Sequence, residues 1–146
     1  MIRLKSLLFE QQSTYKLYVD MGGVLFKKMS ADVGGSGDNT EFIGDELWNV
    51  IKKYNPTVLS AIGSKNIKDK KRIKTDQVKK YLHPTPPIEF VTLGTDKKKF
   101  ANDHAILIDD SKENIDAWEL KNGIGILYDN IQPITNTLKK YFDLEN

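Results

Sequence analysis

Tyr15-Lys16-Leu17-Tyr18-Val19-Asp20-Met21-Gly22-Gly23-Val24-Leu25-Phe26 reads as a buried strand that runs into a carboxylate and two glycines. Leu17, Tyr18 and Val19 are the apolar and aromatic residues such a strand needs. A carboxylate at the end of a buried strand is costly unless something pairs with it. Glycines just beyond it let the backbone turn sharply and approach a ligand closely. The plainer alternative is a strand that ends in an Asp-containing turn.

A second run shifts the balance. Ala105-Ile106-Leu107-Ile108 is another buried-strand pattern, it ends on the paired acids Asp109-Asp110, and Ser111-Lys112-Glu113-Asn114 then opens a helix. Adjacent carboxylates repel each other unless a metal cation or a lysine lies between them. Helix capping explains one acid more easily than two.

Together these runs resemble the haloacid dehalogenase (HAD) superfamily, made mostly of phosphatases and phosphotransferases. Its first motif is a strand ending Asp-x-Asp-Gly-(Thr/Val)-Leu, which here reads Asp20-Met21-Gly22-Gly23-Val24-Leu25, with Gly22 in place of the second Asp. Its last motif is a strand ending in two acids, matched by Ile106-Leu107-Ile108-Asp109-Asp110. The run from Leu107 to Ile115, followed by Gly123-Ile124-Gly125-Ile126, is similar to small HAD proteins of tailed phages and to deoxyribonucleotidases. The resemblance extends from Tyr15 to the end of the chain, and the order and spacing of its motifs are more specific than either motif alone.

Outward from these runs, further strands are expected at 57–61, 88–93 and 123–128, with helices at 45–54, 113–120 and 131–142. Alternation of strands and helices implies an α/β fold: a doubly wound, Rossmann-like parallel sheet of about five strands with helices on both faces. Residues 1–14 read as a short amphipathic appendage and 15–146 as the single domain. Residues 27–40 are polar and contain Gly34-Gly35-Ser36-Gly37, a flexible composition. A loop of that length is either a mobile flap or disordered, and it is too short for a full cap domain.

Composition bounds the rest. A net charge of +2 is too small to argue for nucleic acid, and the absence of cysteine excludes disulfides and thiolate metal sites. No apolar run approaches the roughly 20 residues that span a membrane. The apolar residues near the N-terminus are too few for a signal peptide. The expectation is a soluble cytoplasmic protein, in the host cytoplasm if viral. Residues 65–80 carry eight basic side chains against Asp69 and Asp76. Most such runs are solvated helix faces. They also attract phosphate backbones, but no aromatic is interleaved before Tyr81, so nucleic acid is the weaker reading.

The resemblance assigns roles. Asp20 is the nucleophile that attacks phosphorus to give an aspartyl-phosphate. A Ser at the end of the second strand binds the phosphoryl group; Ser60 is the choice and Ser64 the reserve. A lysine ahead of the acid pair neutralises charge. Lys97 fits best, because it lies three residues before the pair Phe100-Ala101, and Lys98 is the alternative. The metal ligands are Asp20, the Gly22 carbonyl, Asp109 and Asp110, hard oxygen donors suited to Mg²⁺.

The implied activity is a Mg²⁺-dependent phosphohydrolase acting on a phosphorylated small molecule, a nucleotide among the candidates. It is impaired because Gly22 cannot act as the acid–base, a loss that typically costs about 10² to 10⁴ in rate. The alternative is a catalytically silent HAD-fold module that binds a phosphate ligand or a protein. A response-regulator receiver is set aside because its acid pair comes early in the chain, whereas here it comes last.

Overall fold

The computed structural model describes residues 14–28 and 41–142. Residues 1–13 of the expected appendage and 29–40 of the expected loop lie outside the described residues.

Five strands form one sheet: β1 (Lys16–Val19), β2 (Thr57–Ala61), β3 (Ile88–Val91), β4 (Ala105–Asp109) and β5 (Ile124–Leu127). All neighbours pair in parallel, in the order β3-β2-β1-β4-β5. Four α-helices connect or follow them: α1 (Asp45–Ile51), α2 (Ile67–Tyr81), α3 (Lys112–Leu120) and α4 (Ile131–Phe142). Two 3₁₀ segments, Lys52–Tyr54 and Gly94–Phe100, complete the regular structure among the described residues.

Period-two alternation divides the side chains of each strand between two layers. Leu17 and Val19 of β1 join Ile106 and Ile108 of β4 against Leu47, Trp48 and Ile51 of α1, Val78 of α2, and Ile134 and Leu138 of α4. On the opposite face Tyr18, Leu59 and Leu107 pack with Ile115 and Trp118 of α3. Each fully buried side chain of this size contributes about 1.5–3 kcal/mol. The Trp118 indole N–H is kept satisfied in this layer by donating to the Ala105 carbonyl at 3.1 Å.

The doubly wound parallel sheet expected from the sequence is therefore the observed fold. Its strand order is that of a dinucleotide-type doubly wound sheet, not the 2-1-3-4-5 order of flavodoxin-like and receiver folds. The basic run at 65–80 forms the helix Ile67–Tyr81 and Gly94–Phe100 forms a 3₁₀ segment, neither of which is among the expected elements; the other differences lie at element ends. The expected helix at 45–54 is α-helical only to Ile51 and closes as a 3₁₀ turn, with Asn55 in the left-handed region before Pro56. The third strand ends at Val91, not Leu93, because Gly94–Phe100 starts to coil at once. The fourth strand extends through Asp109, which pairs with Leu127 of β5.

The order reverses between β1 and β4, so the crevice at their carboxyl ends is the topological switch point. The chain leaves the sheet there through a turn and passes toward residues 29–40. Lys27 N–H donates to the Glu41 carbonyl at 2.7 Å and Ile43 N–H to the Leu25 carbonyl at 2.9 Å. Departure and return are thus pinned side by side.

Candidate functional site

Asp20 follows the last residue of β1, and its N–H still donates to the Ile108 carbonyl of β4 at 2.9 Å. The carboxylate therefore projects where two central strands end. Beyond it the backbone folds tightly on the Met21 carbonyl, which accepts from Leu25 at 3.0 Å and Phe26 at 2.9 Å. Gly23 has φ +85°, a conformation side chains disfavour, and a Cβ there would collide with the Asp110 carboxylate. Glycine at 23 is what lets Asp110 close on the turn. Gly22 differs, since a Cβ there would meet nothing within 4 Å. Its lack of a side chain has no steric cause in the surroundings.

Lys97 lies in the 3₁₀ segment after β3, whose entry is fixed by the Asp96 carboxylate accepting from Leu93 N–H at 2.9 Å. That geometry turns one of three consecutive lysines inward. Lys97 is 1 % exposed, while Lys98 and Lys99 are exposed. Its ammonium donates to Asp20 Oδ1 at 2.7 Å and to Asp109 Oδ2 at 2.8 Å, bridging β1 and β4. Asp109, fully buried, also accepts from Ser111 N–H at 2.9 Å and from Asn114 Nδ2 at 3.1 Å. Ser111 in turn caps α3.

These contacts separate the titrations. Burial acts first on Asp20 and Lys97 opposes it, but Asp109 and Asp110 add repulsion, and the Asp20 carboxyl is pushed up to about 7. Asp109 also suffers burial, yet Lys97 and the two further donors hold it below the usual carboxylate range. Burial works against the charge on Lys97; the two carboxylates outweigh it and raise its pKa.

Oxygens of Asp20, Asp109 and Asp110 lie within 4.8 Å of one another. Three carboxylates against one bridging lysine leave excess negative charge, and a hard divalent cation such as Mg²⁺ suits such a donor set. Asp109 already commits its oxygens to Lys97, Ser111 and Asn114. Asp20, whose second oxygen Lys97 does not take, and Asp110 are the freer donors, with Gly22 on the same cleft wall.

Ser60, 1 % exposed near the end of β2, lines this cleft, whereas Ser64 is exposed. The cleft holds about 350 Å³ and brings Asp20, Gly22, Ser60, Lys97 and Asp110 together, with Asn114 and Ser111 from the start of α3. Lys98 is not among its lining residues.

One part of the sequence reading is corrected. The basic run at 65–80 is not uniformly a solvated face. Lys74 turns toward the sheet, donates to Ser60 Oγ at 2.7 Å, and lines the cleft with Gln77. One turn earlier, Lys70 donates to the Ile62 carbonyl at 2.9 Å. Burial lowers the Lys74 pKa, with Asp20 acting in the opposite direction and Lys97 adding to the fall. The signal was the four-residue spacing of Lys70 and Lys74, which places both on one helix face.

Among the described residues no helix is long and apolar enough to cross a membrane. No family model and no curated protein matches the chain. Among solved structures, the chain is similar to an uncharacterized protein from Corynebacterium glutamicum ATCC 13032 Kitasato, at 17% identity and a TM-score of 0.50. The alignment covers 91% of this chain and 98% of that one, and at this identity it speaks for the fold alone.

Proposed function

We propose that the chain is a Mg²⁺-dependent phosphohydrolase of the HAD kind, acting on a phosphorylated small molecule such as a nucleotide. The observation that carries this reading is Lys97. It is a buried lysine bridging a strand-end carboxylate on β1 to the acid pair of β4 at the switch point. A purely structural core gains little from such a cluster, since a buried ion pair is often no better than apolar packing. A site that must receive and release a phosphoryl group needs both the nucleophile and the cation.

In this reading Asp20 attacks phosphorus in line, the bond to the ester oxygen breaks, and an aspartyl-phosphate forms. Water then hydrolyses it and inorganic phosphate leaves. Lys97 and Ser60 stabilise charge on the phosphoryl oxygens. Asn114 and Ser111 hold Asp109, which in turn holds Lys97. Asp20, Asp110 and the Gly22 carbonyl would hold Mg²⁺, which when bound neutralises phosphoryl charge. Gly22 offers no proton to the departing oxygen, so esters with poor leaving groups turn over slowly.

Gly22 also favours a second reading, in which the same cleft binds a phosphate ligand without turnover. A panel of nucleoside monophosphates and aryl phosphates, assayed with and without Mg²⁺, tests the two. The hydrolase reading expects Mg²⁺-dependent phosphate release that Asp20→Asn abolishes. Phosphate binding with no release from any ester supports the silent module.

A further inference from the structure

Lys74 is in an unusual position for a residue of a lysine-rich surface helix. Its ammonium is drawn out of water to reach Ser60 Oγ at 2.7 Å and the Ala61 carbonyl at 3.4 Å. Among the described residues no carboxylate forms an ion pair with it. A half-buried cation whose direct hydrogen bonds go only to neutral oxygens is incompletely compensated for its lost hydration, the Asp20 carboxylate acting on it only from beyond ion-pair distance. Lys70, on the same helix face, bonds the neighbouring Ile62 carbonyl but does not line the cleft. One lysine would suffice to fasten α2 to the end of β2; the second points its charge at the site.

The hydrogen bond also has a direction. An ammonium can only donate, so Ser60 Oγ accepts from Lys74, and the Ser60 hydroxyl proton is left to be given elsewhere. Ser60 is buried and lines the cleft, so that proton is available to an anion within it. Lys74 thus supplies positive charge and sets Ser60 as a donor. With Lys97 it places two lysines around Asp20, one from each face of the sheet.

We infer that Lys74 is a second anion-binding residue of the cleft, acting with Ser60 on the phosphate that Lys97 also meets. This rests on the phosphate-site reading above, though not on turnover. It also assigns a purpose to one member of the basic run that charge composition alone would leave on the surface.

The test is calorimetric titration of inorganic phosphate into the Mg²⁺-loaded full chain and into Lys74→Met, with Lys70→Met as control. Loss of a charge-assisted hydrogen bond predicts at least about tenfold weaker phosphate binding in Lys74→Met. Lys70→Met should melt lower yet bind phosphate as the wild type does. Binding of Mg²⁺ alone separates a site effect from a folding defect. It should be unchanged or tighter in Lys74→Met, because a competing cation has been removed, whereas collapse of the site would weaken it. Lys74→Gln, which keeps a donor for Ser60 without the charge, serves if the Met variant does not fold, and should also bind phosphate more weakly. Wild-type phosphate affinity in both Lys74 variants overturns the inference and leaves the phosphate-site reading standing. A wild type that binds no phosphate overturns both.

Discussion

Gly22→Asp separates the two functional readings. Glycine 22 lies outside the left-handed region, and a Cβ there meets nothing within 4 Å, so the backbone accepts a side chain. Removing the glycine stiffens the unfolded chain, which contributes about 0.4–1 kcal/mol. Against this stands a fourth carboxylate near Asp20, Asp109 and Asp110. At roughly 6 Å and an effective dielectric near 20, each like-charge pair costs about 3 kcal/mol. The variant should therefore melt below the wild type in chelator and recover in Mg²⁺. The catalytic gain follows from the missing proton donor, whose restoration is worth about 10² to 10⁴ in a fully adapted site. In a site not adapted to it, turnover of a nucleoside monophosphate should rise by at least about tenfold, the cautious side of that range. An aryl phosphate should gain less, because its leaving group departs without protonation. Both forms are assayed on both substrates by phosphate release. A wild type that hydrolyses the nucleotide briskly, with an Asp variant no faster, would mean that another group supplies the proton and refute this account of Gly22.

Removing the charge of Lys97 leaves two buried carboxylates facing each other, so Lys97→Met should lose about 3–5 kcal/mol in urea unfolding. Lys98→Met, at an exposed position, should stay within about 0.5 kcal/mol, and equal losses at the two would contradict the bridge. The Asp20 carboxyl is raised to about 7, chiefly by burial. Its contribution to stability is full below its unfolded value and is lost as pH rises through about 7. Metal-free Asp20→Asn should accordingly melt higher than the wild type at pH 8, and a lower melting temperature there would count against the assignment. Gly23→Ala drives a methyl into the Asp110 carboxylate at positive φ. It should be destabilised by more than about 1 kcal/mol and show a smaller Mg²⁺-induced rise in melting temperature. A Mg²⁺ response equal to that of the wild type would remove Asp110 from the ion site.

The sheet was legible because its strands are short apolar runs bounded by acids, glycines and prolines, a pattern few alternatives fit. Which side chains of β1 and β4 enter which layer, Leu17, Val19, Ile106 and Ile108 on one face and Tyr18 and Leu107 on the other, was not legible in these continuous apolar runs and is set by the pleat of the paired strands. The cluster of Asp20, Lys97 and Asp109 was legible at the level of which residues meet, since all three follow or end strands. Which lysine of Lys97-Lys98-Lys99 turns inward depends on a 3₁₀ turn, and resemblance rather than periodicity singled out Lys97. Lys74 was missed for a related reason. In a run where most positions are basic, charge says nothing about facing, and only the spacing to Lys70 and the position of Ser60 in space single it out. Asn114 was seen as part of a helix start, but its bond to Asp109 depends on where α3 meets the strand.

The central claim is that Asp20 accepts a phosphoryl group. Because Gly22 cannot activate the hydrolytic water, the phosphoenzyme should persist long enough to detect. Incubation with an aryl phosphate and Mg²⁺, acid quenching and peptide mass spectrometry measure it directly. The account predicts the mass of one phosphoryl group on the peptide from Leu17 to Lys27, lost in chelator and absent in Asp20→Asn. Phosphate release in Mg²⁺ with the phosphoryl group on Ser60 or elsewhere, or with none on that peptide, would contradict it.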